Sequence, residues 1–360
     1  MATTAHPWSG GERWAVPKNS VIERKFAEQV NNNQEERNMN ILTKVIAAAA
    51  VLMCCTSAWA APRTIRIATH VSKVSPLYDQ AQLFADEISK KLPGEFDFKI
   101  YPNGQLGKED ALINNAKLGS IEMIVVASGV LKLDGKLGIF DLPWLFKNYD
   151  QVEKLSKGSF GQAVKKRIED KQNLVVLGMY ASGFRQVINN RRPIVHPADM
   201  KGLKIRVTGS KYRREGFSQL GADPQPIAWT ETFTAIQQGV VDGAEASIYA
   251  FYGAKLYEIN KYISLTRHSY TPSFLIASPT FWASLSDQQK KAFREAAADI
   301  TDKAYADAQS LDQRYLKKMK DDVKVNEVDS SAFQAKVKPV YQEYEKKYGS
   351  KWVDMIQSTN

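Results

Sequence analysis

Cysteine is almost missing: Cys54 and Cys55 are the two in 360 residues, and both sit in an apolar run near the start. If that run is removed, the remainder has no thiol, so disulfides, thiolate metal sites and cysteine nucleophiles are excluded. Histidine is scarce as well, with four in the chain. His70, His196 and His268 show no H-x-x-x-H or carboxylate spacing, so no metal site is expected. No G-x-S-x-G elbow surrounds Ser182 or Ser210, which argues against a hydrolase; the reading is a protein that is not an enzyme and needs no cofactor. No apolar run reaches the ~20 residues of a membrane span.

Acidic residues are outnumbered, 39 against 49 basic. Six of the basic and five of the acidic residues precede residue 61, so the remainder keeps a formal charge near +9. A basic excess can signal nucleic acid. Here Lys165, Lys166, Arg167, Lys290, Lys291, Lys346 and Lys347 are scattered among Glu and Asp in helical stretches, and no finger, RRM or helix-turn-helix pattern accompanies them. They read as solvated helix faces, so no nucleic-acid partner is expected; the positive field can still draw anionic solutes.

Residues 1–38 are polar and lack an apolar face, so they read as disordered or as a misassigned extension ahead of a true start at Met39. The text from 39 to 60, MNILTKVIAAAAVLMCCTSAWA, has Lys44 before a short apolar run and small residues at Ala58 and Ala60. That is the pattern of a secretory signal cut between Ala60 and Ala61, which predicts export.

From residue 64 the chain reads as strand, helix from Pro76, strand 96–101, helix to about Leu118 and strand 121–126, the order of an α/β fold with a parallel-rich sheet. His70 falls at the end of the first strand, near a crevice mouth or merely hydrogen-bonded there. The stretch from 183 to 245 is the centre of the chain. Leu203, Ile205 and Val207 alternate with Lys204 and Arg206, the period of a half-buried strand. Arg206 thus lies near a strand's carboxyl end, where open α/β sheets bind ligands and a guanidinium can take a carboxylate through two parallel bonds. A solvated or structurally paired arginine is the plainer alternative. Thr230 reads as an N-cap with Glu231 in the first turn, and Gly239 ends that helix. Trp229, Tyr249, Tyr252 and Tyr270 supply either an aromatic wall or core. From Ser286 one long amphipathic helix runs through Phe293, Ala297, Ile300 and Tyr305 toward Met319, and residues 323–328 read as a last strand before closing helices.

The segments QLG (105–107), FDLPWLF (140–146), GFRQVINNRRPIV (183–195), PADMKGLKIRV (197–207), LGA (220–222) and TETFTAIQQGVVDGAE (230–245) together resemble the solute-binding proteins of tripartite ATP-independent periplasmic (TRAP) transporters, the DctP family. The likeness covers most of the chain after residue 60. It implies a two-domain periplasmic-binding-protein fold with a hinge cleft and a long domain-spanning helix, with crossings near Ser182, Thr271 and Leu311. Domain I would hold residues 61–182 and 272–311, and domain II residues 183–271 and 312–360.

The resemblance further implies a carboxylate solute, with Arg206 clamping it and Arg185 assisting, and the membrane subunits of a TRAP transporter as partners of a monomer. Trp229, Glu245, Tyr249, His70 and Glu109 are the candidate selectivity contacts. The chain has Ala244, Glu245 and Ala246 where sialate binders and many relatives carry an asparagine, and Ala127 and Ser128 offer no acidic contact for a glycerol tail. The expected ligand is therefore a smaller organic acid, aliphatic or aromatic. An exported binding protein serving a sensor or an ATP-driven importer is the competing assignment.

Overall fold

A computed structural model describes residues 61–359 and scattered positions between 21 and 44. Those earlier positions are helical and exposed, a local helix where the sequence suggested none. Most of the signal-like segment, its cleavage point included, lies outside the described residues. Residues 1–60 and 61–360 are separate compact units.

Residues 61–360 build a two-domain α/β fold around nine strands: β1 (Arg63–Ala68), β2 (Phe96–Tyr101), β3 (Met123–Val126), β4 (Val175–Asn189), β5 (Lys204–Val207), β6 (Asp223–Pro226), β7 (Gly243–Ala246), β8 (Tyr262–Ala277) and β9 (Lys324–Glu327). Their hydrogen-bonded order is β2-β1-β3-β8-β4-β7-β5-β6, with β9 on β8. The flanks are parallel, β1 with β2 and β3 on one side and β5 with β6 and β7 on the other. The centre is antiparallel: β8 pairs with β3 and β4, and β4 with β7. The sheet is therefore mixed. Two long strands, β4 and β8, run side by side through the middle and join the flanks. Edge strand β6 contains Pro224 and Pro226, which lack the N–H a central strand would need.

Helices cover the sheet through apolar faces. The helix Pro76–Lys91 starts under a Ser75 cap and buries Leu77, Ala81, Phe84 and Ile88 at helical spacing. Ser286 and Gln289 form a reciprocal capping box on the helix Asp287–Asp299. The expected single long helix is bent: it breaks at Ile300, where ψ is −5°, and resumes as Thr301–Met319. The apolar spacing continues across the break because Ile300 is itself buried, which is why the sequence shows no interruption. The first half packs on Pro76–Lys91 and the second runs along β4.

The helix expected after Thr230 also starts later. Residues Trp229–Glu231 form a 3-10 turn and the α-helix is Thr232–Gln237. Gly243 opens β7 against β4, where a Cβ would collide with the Ile188 carbonyl oxygen. Among the described residues no helix is long and apolar enough to cross a membrane.

Candidate functional site

The carboxyl ends of β1, β3, β5 and β6 converge on a cleft of about 440 Å³, as expected for an α/β sheet. His70 arrives just after β1, Ser128 after β3, Arg206 within β5 and Trp229 after β6; Glu109 comes from the first turn of the helix Glu109–Lys117. A narrower inner extension adds Ser182 and Arg185 from β4 and Ser247 and Tyr249 from beyond β7.

Arg206 is 3% exposed. Its Nε donates to the Ile227 carbonyl at 2.7 Å and its guanidinium lies 5.3 Å from the centre of the Trp229 ring. Burial pulls its pKa down to about 10; Glu245 opposes this, and Arg185 and Arg213 add to it. It remains a cation at neutral pH, and among the described residues it is the one buried Lys or Arg without a carboxylate partner.

The other buried charges are paired among themselves. The Arg185 Nε donates to a carboxylate oxygen of Glu245, and its Nη2 donates to Glu245 Oε1 at 3.0 Å and to the Glu245 carbonyl at 2.8 Å. Arg213 is held between Asp141 and Glu245. His268 Nε2 stands 3.4 Å from Glu245 Oε2, and its Nδ1 is 2.8 Å from the Thr266 hydroxyl. Burial opposes ionisation of Glu245, but Arg185 and Arg213 outweigh it and hold the carboxyl well below its usual range. Burial lowers the His268 pKa in turn, with Glu245 partly opposing. Two guanidinium groups thus face two carboxylates, which leaves this cluster without net charge.

Of the seven residues singled out from sequence, the structure brings Arg206, Trp229, His70 and Glu109 to the main cleft and Arg185 and Tyr249 to its inner extension. Glu245 is fully buried behind them and reaches the cleft only through Arg185. Glu109 Oε1 accepts from the Ala127 amide at 2.7 Å and lies 3.8 Å from His70 Nδ1. Burial lowers the His70 pKa, and Glu109 only partly counters it. The Tyr249 hydroxyl bonds Ser182 Oγ at 2.8 Å.

Across the mouth, Lys108 pairs with Glu231, and Lys132 with Asp110 at 2.7 Å. Sequence reasoning missed Arg213, whose neighbour Arg214 is exposed; nothing in KYRREG separates the two. It also missed Thr208 and Ser247 as cleft residues.

The profile of the bacterial extracellular solute-binding proteins, family 7 (DctP), matches residues 67–347. The chain belongs to this family. The DctP-family chain is 33% identical to a TRAP periplasmic solute-binding protein from Bordetella bronchiseptica, with density assigned as pantoate, over 83% of this chain and 99% of that one, at a TM-score of 0.79. It is 30% identical to a TRAP periplasmic solute-binding protein from Polaromonas sp. JS666 bound to D-erythronate, over 83% and 99% of the two chains, at a TM-score of 0.80. The C4-dicarboxylate-binding periplasmic protein of Rhodobacter capsulatus is 29% identical over 84% of this chain and 92% of its own. As a member of this family the chain is a periplasmic solute-binding protein and not a catalyst; among the described residues there is no group of His, Cys, Asp and Glu fit to hold a metal.

Proposed function

We propose that the chain captures a small organic acid by its carboxylate on Arg206 and delivers it, as a monomer, to the membrane subunits of a TRAP transporter. The carrying observation is the buried, unneutralised Arg206 guanidinium at the cleft floor. A buried charge without a partner costs several kcal/mol, and a ligand carboxylate offsets that cost. Trp229 lies against the guanidinium, and the Ile227 carbonyl takes Nε, which leaves the Nη groups for a ligand carboxylate. Arg185, already engaged by Glu245, acts as a wall rather than as a second free clamp. Tyr249 and His70 line the same wall.

Closure requires contacts from both domains to one solute. The proposed division is residues 61–182 with 272–311 against residues 183–271 with 312–360. It is supported by the register shift between Ala181 and Gly183, where Gly183 pairs with Thr271, because a bulge bends the strand that carries it. Export with cleavage between Ala60 and Ala61 completes the reading.

Calorimetric titration of protein freed of bound solute tests it. Arg206→Ala should weaken binding by roughly one and a half to three and a half decades, the ~2–5 kcal/mol of a buried charge left unpaired, while the unfolding transition stays cooperative. Unchanged affinity for the same acid would refute the clamp.

A further inference from the structure

Resting on the Arg206 clamp, we propose that the cleft selects polyhydroxylated monocarboxylates, the sugar-acid class, over dicarboxylates, with Glu109 as the discriminating residue. The charge arrangement argues this first. Lys108 is held by Glu231 and Lys132 by Asp110, so once Arg206 takes a carboxylate, no cation lining the cleft is left uncommitted. The same cleft is lined by the Glu109 carboxylate, whose Oε1 accepts from the Ala127 amide. A second ligand carboxylate there would meet a like charge. At about 5 Å and an effective dielectric near 20, that repulsion removes roughly two decades of affinity.

The uncharged groups argue it independently. Thr208 Oγ1, His70 Nδ1 and Ser247 Oγ are buried without hydrogen-bond partners, and all three residues line the cleft or its inner extension. Such groups are rare unless something satisfies them. Hydroxyls and a neutral imidazole can each donate or accept, which suits the hydroxyls of a ligand. An ammonium group can only donate, and of these atoms it could use the acceptors alone. The Glu109 carboxylate adds a strong acceptor for a ligand O–H.

The test is calorimetric titration of the exported protein, freed of bound solute by unfolding and refolding. The probes are D-erythronate and D-galactonate, butyrate as the acid without hydroxyls, succinate and tartrate as dicarboxylates, and homoserine as the zwitterion. An aldonate should bind at least about 100-fold more tightly than butyrate, succinate, tartrate or homoserine. Glu109→Gln, which keeps the bond to Ala127, should weaken the aldonate about tenfold and narrow its lead over tartrate. Thr208→Val should weaken the aldonate without improving tartrate, and it serves as the second probe if Glu109→Gln does not fold.

Preference for succinate, tartrate or homoserine that still depends on Arg206 would overturn this inference and leave the clamp standing. Binding of these acids unaffected by Arg206→Ala would overturn both.

Discussion

Asp312 offers a sharp test of how the bent helix is seated. It lies in Thr301–Met319, with Oδ2 accepting from the Tyr149 hydroxyl at 3.0 Å and the Ile248 and Tyr249 amides beside the carboxyl. Burial raises its pKa to about 7, against 3.8 for an ordinary aspartate, and the bonds from Tyr149 and from the Tyr249 and Ile248 amides only partly oppose this. Because the folded-state value lies above the unfolded one, the folded protein holds the proton more tightly. The resulting stability is fully present below about pH 4 and is lost as pH rises toward 7. Three pH units at 1.4 kcal/mol each give an upper bound of about 4 kcal/mol. The side chain keeps some exposure at a cavity of about 260 Å³, so screening brings the expected effect to roughly 2 kcal/mol.

Asp312→Asn keeps the shape and removes the titration. Urea unfolding of both proteins between pH 4.5 and 8.5 should show the variant gaining on the wild type as pH rises, overtaking it near neutrality. The difference between the two proteins cancels every other titrating group. Parallel profiles across that range would refute the argument that a desolvated carboxyl stands there.

Two further outcomes follow from the buried cluster and the sheet. Glu245→Gln leaves Arg185 without a carboxylate partner and Arg213 with Asp141 alone, and it should destabilise the fold by ~3–5 kcal/mol in urea unfolding. The Glu245 pKa is depressed, so its contribution is present above the ordinary value of 4.5 and disappears as pH falls below it; the variant's deficit should shrink in acid. Gly243→Ala puts a methyl group into the Ile188 carbonyl and should lower Tm by roughly 10 °C or prevent folding, as read by circular dichroism.

Much of this architecture is legible in local pattern. The alternation around Arg206 gives β5, Ser75 and Ser286 mark two helix starts, and Arg206 at a strand end gives the cleft. What local pattern misses has a common cause, namely burial on every side. Strand β4 reads as a strand only over 174–180; it carries Gly178, Ser182 and Gly183, which read as turn residues, and it is buried along nearly all its length, so no alternation marks its second half. Arg213 and Glu245 become partners only when β7 and the helix Lys211–Gln219 come together. The sequence names each of them as a charge but not as half of a pair. Ile300 breaks its helix through backbone geometry alone, and its side chain keeps the apolar register.

The long central strands carry a kinetic consequence. Val175 pairs with Ala277, and Asn189 with Tyr262, so β4 waits for a partner made far later in the chain. Neither flank of the sheet can be joined to the other before β8 exists. Loop closure over such a span is slow, so the ribosome releases nearly the whole sheet sequence before its middle can zip. A chain with that order of assembly stays open during synthesis, the state in which a polypeptide can be threaded through a membrane channel.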